Sequence, residues 1–105
     1  MSRPPATVRR IAARALERRR RLRLRTVRPG GTAVGIARAR DLAAGKSIPT
    51  ATLRRMKAFF DRWESRYLEA RDDRGSPIVL AWQLWGGTAG RRWVERVLAD
   101  KPARY

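Results

Sequence analysis

The chain contains no cysteine and no histidine. The first absence rules out disulfides and thiolate zinc sites. The second removes the commonest metal ligand and the usual general base near neutral pH. Asparagine is missing too, and Gln83 is the one glutamine. The amide side chains that read adenine edges are therefore almost unavailable. Acid is scarce, with nine Asp and Glu against 26 Lys and Arg. No run approaches the 18 or so apolar residues of a membrane span, so no membrane partner is expected. The basic N-terminus is not followed by the apolar stretch of a secretory signal. An enzyme here would have carboxylates, lysine or serine alone. Asp41, Glu69, Glu95 and Asp100 each have an arginine three or four residues away, Asp61 has Lys57 so placed, and Glu64 stands between Arg62 and Arg66. Ser47, Ser65 and Ser76 read as caps or helix-face residues. No acid–base pair stands apart. No catalytic residue, metal or cofactor is expected, and the chain reads as a non-enzyme.

What is abundant is arginine. It supplies 23 of the 26 cations, lysine standing only at 46, 57 and 101, and the net charge is +17 with a pI near 12.0. An imbalance of that size argues about partners, and the commonest polyanion is nucleic acid. Arginine grips phosphate bidentately and stacks on bases, which lysine does less well. The 105 residues, 43% of them hydrophobic, suit one domain with a modest core.

Residues 1–29 read as a basic arm. Arg3, Arg9, Arg10, Arg14, Arg18, Arg19, Arg20, Arg21, Arg23, Arg25 and Arg28 stand there against one acid, Glu17. Val8, Ile11, Ala12, Ala15 and Leu22 recur at near-helical spacing, which predicts a helix from about Thr7 to Arg25. Its apolar stripe is thin and Arg18 to Arg21 repel one another. Such a helix is marginal alone and firms against phosphates; the alternative is a solvated, fraying tail.

Pro29, Gly30 and Gly31 separate this arm from residues 30–105, a single helical domain. Thr32 caps a helix, AVGIARARDLAA, that Gly45 ends, with Val34, Ile36, Ala37 and Leu42 on its apolar face. Gly35 within it marks a close helix–helix approach or, alternatively, a late helix start. Ala44-Gly45-Lys46-Ser47 ends like a phosphate-binding loop, but Arg40 stands where that motif needs its first glycine, and a helix precedes it instead of a strand. From Ile48 to Leu68, Leu53, Met56, Phe60, Trp63 and Tyr67 fall at steps of 3, 4, 3 and 4, an apolar seam that Phe59 and Leu68 widen. That spacing places the aromatics inside, which argues against base stacking. Asp72 and Asp73 read as loop residues.

The stretch from Ser76 to Asp100 reads as the anchor of the fold. Ser76 and Pro77 start a short helix, IVLAWQLW, with Gln83 as its sole polar side chain. Gly86 and Gly87 stop it, Thr88 caps the next helix, and Trp93, Val94, Val97 and Leu98 line one face of that helix. Trp82, Trp85 and Trp93 place most of the tryptophan here. The layout also fits a helix-turn-helix, whose second helix would enter a major groove. The apolar face commits that helix to the core instead. Arg91 and Arg92, near its positive dipole end, are the better candidates for phosphate contact.

Gly30 to Leu42 (GGTAVGIARARDL), Ile48 to Phe60 (IPTATLRRMKAFF) and Ala81 to Trp93 (AWQLWGGTAGRRW) together resemble a small module of tailed-phage and prophage genomes. The likeness covers about residues 30–98 and excludes the arm. The double glycine after an aromatic is its most specific mark. The module carries no assigned reaction, so the resemblance implies a phage-type origin and no catalytic residue. It leads one to expect an Arg-His pair after Phe59-Phe60, where this chain has Asp61-Arg62-Trp63.

The resulting expectation is an all-α protein, a small bundle of three to four helices with an Arg-rich, helical N-terminal arm. It binds nucleic acid, DNA ahead of RNA, by phosphate contacts from the arm, Arg91 and Arg92, with little sequence specificity. It acts in the host cytoplasm or a virion. The alternative is a virion or packaging component, or a host-directed inhibitor, that docks on an acidic protein face or nucleoprotein complex.

Overall fold

The computed structural model describes residues 1–23 and 32–100. They form five helices: α1 (Ala6–Arg23), α2 (Ala33–Ala43), α3 (Thr50–Ala70), α4 (Pro77–Leu84) and α5 (Gly87–Ala99). The all-α expectation holds. Five helices are present where three to four and an arm were expected, because the arginine-rich helix is packed into the bundle.

Helix α1 buries Val8, Ala12 and Ala15, at i, i+4 and i+7, and all three belong to the main apolar cluster. The stripe is small, and that suits it: alanine lets the helix lie close to its neighbours. The chain ahead of α1 is tied down as well. Ser2 and Ile48 exchange backbone hydrogen bonds of 3.1 and 2.7 Å in an antiparallel bridge. The predicted end of this helix at Arg25 and the Pro29–Gly31 break lie outside the described residues.

Helix α4 is the hub. It packs against all four other helices, whereas α1 and α3 lie on opposite sides of the bundle and do not meet. Its composition explains this, since Val79, Leu80, Trp82 and Leu84 are buried on several faces. Trp82 stacks on Tyr67 at 4.2 Å, meets Phe60 edge-on at 4.8 Å, and donates its indole N–H to Thr88 Oγ1 at 3.2 Å. A buried indole needs that partner. Trp85 stacks on Phe59 at 4.4 Å. Leu53, Met56, Phe60 and Trp93 are buried as expected, and Tyr67 is half-buried against the core.

Some seam residues depart from expectation. Trp63 is only half-buried and lies outside the main apolar cluster, and Leu68 is 48% exposed. The eight-residue α4 is too short to cover both sides of a 21-residue α3 along its length. On α2, Val34 is 58% exposed and Ala37 is exposed. The buried stripe there is Gly35, Ala39 and Leu42, at i, i+4 and i+7. A Cβ on Gly35 would lie 3.2 Å from Trp85 Nε1, so this glycine does mark a close approach.

The helix ends are mixed. Thr32 caps α2, its hydroxyl accepting from the Gly35 amide at 3.1 Å. Ser76 holds the N-cap position of α4 without a side-chain bond, and Pro77 follows as its first residue. Thr88 does not cap α5; Gly86 does, with φ of 106°. A Cβ at Gly86 would stand 3.0 Å from Val8 Cγ1 and 3.1 Å from the Gly90 Cα, so the turn is closed on two sides. Gly86→Ala is therefore expected to cost about 1–3 kcal/mol from backbone strain alone. Thermal unfolding checks this, with a Tm drop of about 10 °C expected.

Candidate nucleic-acid interface

With Val8, Ala12 and Ala15 turned inward and Ile11, Leu16 and Leu22 half-buried at the edges of that stripe, helical geometry directs the opposite side of α1 outward. Arg10, Arg14 and Arg21 fall on one exposed ridge, and Arg9 and Arg20 are also exposed. Arg18 and Arg19 are half-buried at its flanks. The ridge has a single acid, Glu17. It pairs with Arg20 at 2.7 Å and Arg21 at 3.3 Å, and the hydrogen bond from Arg20 holds its carboxyl below the usual range. Exposed pairs of this kind are worth little, so a phosphate can replace Glu17 at small cost. The backbone of α1 reaches Arg23, whose side chain, with Arg25 and Arg28, lies outside the described residues.

Shallow clefts flank the ridge. Between α1 and α2, Arg19, Arg20 and Arg40 line one of about 330 Å³. Between α1 and α4, Arg14 and Arg18 line one of about 240 Å³ with Gln83. At the start of α1, Arg92 and Arg96 line a third of about 260 Å³ beside Pro5 and Thr7. Arg40 and Arg96 were not singled out from sequence, because their nearness to α1 depends on how α2 and α5 dock. Arg96 had one available signal, its place four residues after Arg92.

Arg91 stands elsewhere. Its guanidinium contacts Asp61 at 3.2 Å, Glu64 at 2.6 Å and Glu95 at 2.8 Å, clamping α5 to α3, and it lies 6.0 Å above the Trp82 ring. Its side chain is 22% exposed. Burial lowers its pKa, but the bonds to Glu64 and Glu95 outweigh that and leave it raised. The Lys57 bond at 2.6 Å, with Arg91 adding to it, holds Asp61 below the ordinary carboxylate range. An arginine already shared by three carboxylates has little left for phosphate. The amino end of α5 is also covered, since Gly86 and Gly87 are buried and approach Val8 and Ile11. The expected anion grip at that helix end is therefore corrected: Arg92 faces solvent, and Arg91 is a strut.

Arg91→Leu should accordingly lower stability by about 1–2 kcal/mol, since it leaves Asp61, Glu64 and Glu95 facing one another without their shared cation. Chemical denaturation reads that loss. Nucleic-acid affinity measured below the transition should stay within twofold of the wild type.

Two further acids have local tasks. Asp73 Oδ1 accepts from the Gly75 amide at 3.0 Å within the turn before α4, and Asp41 pairs with Lys46 at 3.4 Å. Gly45, with φ of 70°, stands in the turn after α2, its amide donating to the Leu42 carbonyl at 3.0 Å. Among the described residues no helix is long and apolar enough to cross a membrane. No family model, no curated protein and no solved structure matches the chain.

Proposed function

We propose that this is a small phage-type, non-enzymatic protein that binds nucleic acid by gripping phosphates, DNA ahead of RNA, in the host cytoplasm or a virion. The observation that carries the reading is the two-sidedness of α1. One side is fixed in the core through Val8, Ala12 and Ala15, and the other carries Arg10, Arg14 and Arg21 outward with Arg9 and Arg20 beside them. Fixing the helix removes most of the ordering cost that a free arm would meet on binding. From Arg9 to Arg21 the ridge is about 18 Å long at the helical rise. A wide B-DNA groove admits a convex helical edge of this kind, whereas the deep, narrow major groove of RNA does not.

Sequence selectivity should be low. The chain has no asparagine, and Gln83 is half-buried in the α1–α4 cleft. Arginine contacts to phosphate carry no base information. Affinity for unrelated duplexes, measured by fluorescence anisotropy across salt, tests the proposal. With about six phosphate contacts, log K should fall against log[salt] with a slope near −5, alike for every sequence. No binding at low salt, or a slope near zero, would overturn it.

A further inference from the structure

The clefts beside α1 are lined by arginine, but one on the far side of the bundle is not. Between α2, α3 and α4 lies a groove of about 390 Å³ whose lining includes Phe59, Trp63, Ile78, Ala81, Leu84 and Trp85. Its one hydroxyl, on Thr32, already accepts from the Gly35 amide. The Phe59 and Trp85 rings are stacked face to face, so this wall is rigid. Arginines stand around it. The guanidinium groups of Arg62 and Arg66 lie 5.1 and 5.4 Å from the centre of the Trp63 ring, and that of Arg38 lies 5.5 Å from Trp85. The Arg38 Nε is buried with no hydrogen-bond partner. Burial lowers the Arg38 pKa, and Arg55 nearby adds to that while Asp41 opposes it.

We propose that this groove docks an acidic protein segment, which buries one tryptophan- or leucine-sized side chain among Phe59, Trp63, Ile78 and Trp85 and sets flanking carboxylates against Arg38, Arg62 and Arg66. Charge complementarity selects the occupant. A second copy of this chain carries +17 itself and meets the same arginines, so it is repelled. A nucleobase would find stacking surface but only the Thr32 hydroxyl and the Trp63 and Trp85 indole N–H groups as polar side-chain groups in the lining, too few to satisfy a base edge of several donors and acceptors. A strand held on the α1 ridge would also have to reach around the bundle, since α1 and α3 do not meet. An apolar anchor within a charged rim is the usual arrangement of a groove that takes an amphipathic segment. The groove and the phosphate-binding ridge are separate surfaces, so this inference stands or falls independently of the proposed function.

The test uses the full chain and a fluorescein-labelled acidic helical peptide with one Trp and one Leu four residues apart among Glu and Asp. A control peptide has Ser at both apolar positions. Each is titrated by anisotropy with the wild type, with Trp63→Ala, and with Ala81→Leu, which fills the groove without removing a ring. The apolar peptide should bind at least ten times more tightly than its serine control, and either substitution should abolish that advantage. The weak, charge-driven binding of the control should not change. Equal affinity of the two peptides for the wild type overturns the proposal, as does an advantage that survives Ala81→Leu. If oligo-dT displaces the apolar peptide and itself loses affinity in both variants, the groove takes bases and the proposal is likewise overturned.

Discussion

Ala12→Glu is expected to unfold the protein, and Ala13→Glu to leave it intact. The residues are neighbours on α1, yet Ala12 is fully buried and Ala13 is exposed. A glutamate at 12 would place an unpaired charge and four extra heavy atoms of side chain beyond the alanine methyl into a filled interface. An uncompensated buried charge costs about 3–5 kcal/mol, and overpacking adds about 1–3 kcal/mol. Against a total stability of about 5–15 kcal/mol, that is a large share. At 13 the same residue faces water and should change stability by about 0.5 kcal/mol at most. Urea titration followed by circular dichroism separates the two outcomes. Removal of residues 1–23 should act like Ala12→Glu and abolish the cooperative transition, because Val8, Ala12 and Ala15 are core residues. Equal stability of the two variants would make α1 a dispensable arm.

Neutralising the outer ridge should do the reverse, removing binding and sparing the fold. Arg10, Arg14 and Arg21 are exposed, and among the described residues the acid paired with this set is Glu17, 3.3 Å from Arg21. Each phosphate contact contributes through counterion release in proportion to the logarithm of salt concentration. Three lost contacts at physiological salt amount to an affinity loss of about 100-fold. The triple variant R10Q/R14Q/R21Q should show that loss on duplexes of any sequence, while its Tm stays within about 3 °C of the wild type. Arg62, Arg66 and Arg71 are equally exposed but lie on or just after α3, across the bundle. The matching triple variant there should bind nearly as well as the wild type. That contrast separates a defined ridge from a diffuse effect of net charge.

The helices were legible in the sequence wherever apolar spacing was dense. Leu53, Met56 and Phe60 announce α3, and the run from Ile78 to Trp85 announces a buried helix. Gly86 and Gly87 announce the turn between α4 and α5. Helix α1 was legible as a helix but not as core. Its inward stripe is mostly alanine, and alanine reads as a weak signal until the neighbours that come close to it are known. Trp63, Leu68 and Val34 misled in the opposite sense, because periodicity says which side of a helix is apolar and not whether another helix reaches it. The Arg91 clamp was out of reach for a related reason: Asp61 lies 30 residues from Arg91 in the chain. A basic pair at a helix start resembles an anion site until the acids of α3 are brought against it. The ridge on α1 shows in the sequence as composition alone. Its orientation follows only once the buried side is known.

The central claim is that α1 is both wall and grip: one side holds the fold and the other holds phosphate. The most direct measurement is the slope of log K against log[salt] on duplex DNA, for the wild type and R10Q/R14Q/R21Q under identical conditions. The account predicts a slope near −5 for the wild type and one shallower by about 2.7 units for the variant, with both proteins equally folded. Identical slopes for the two folded proteins would contradict it.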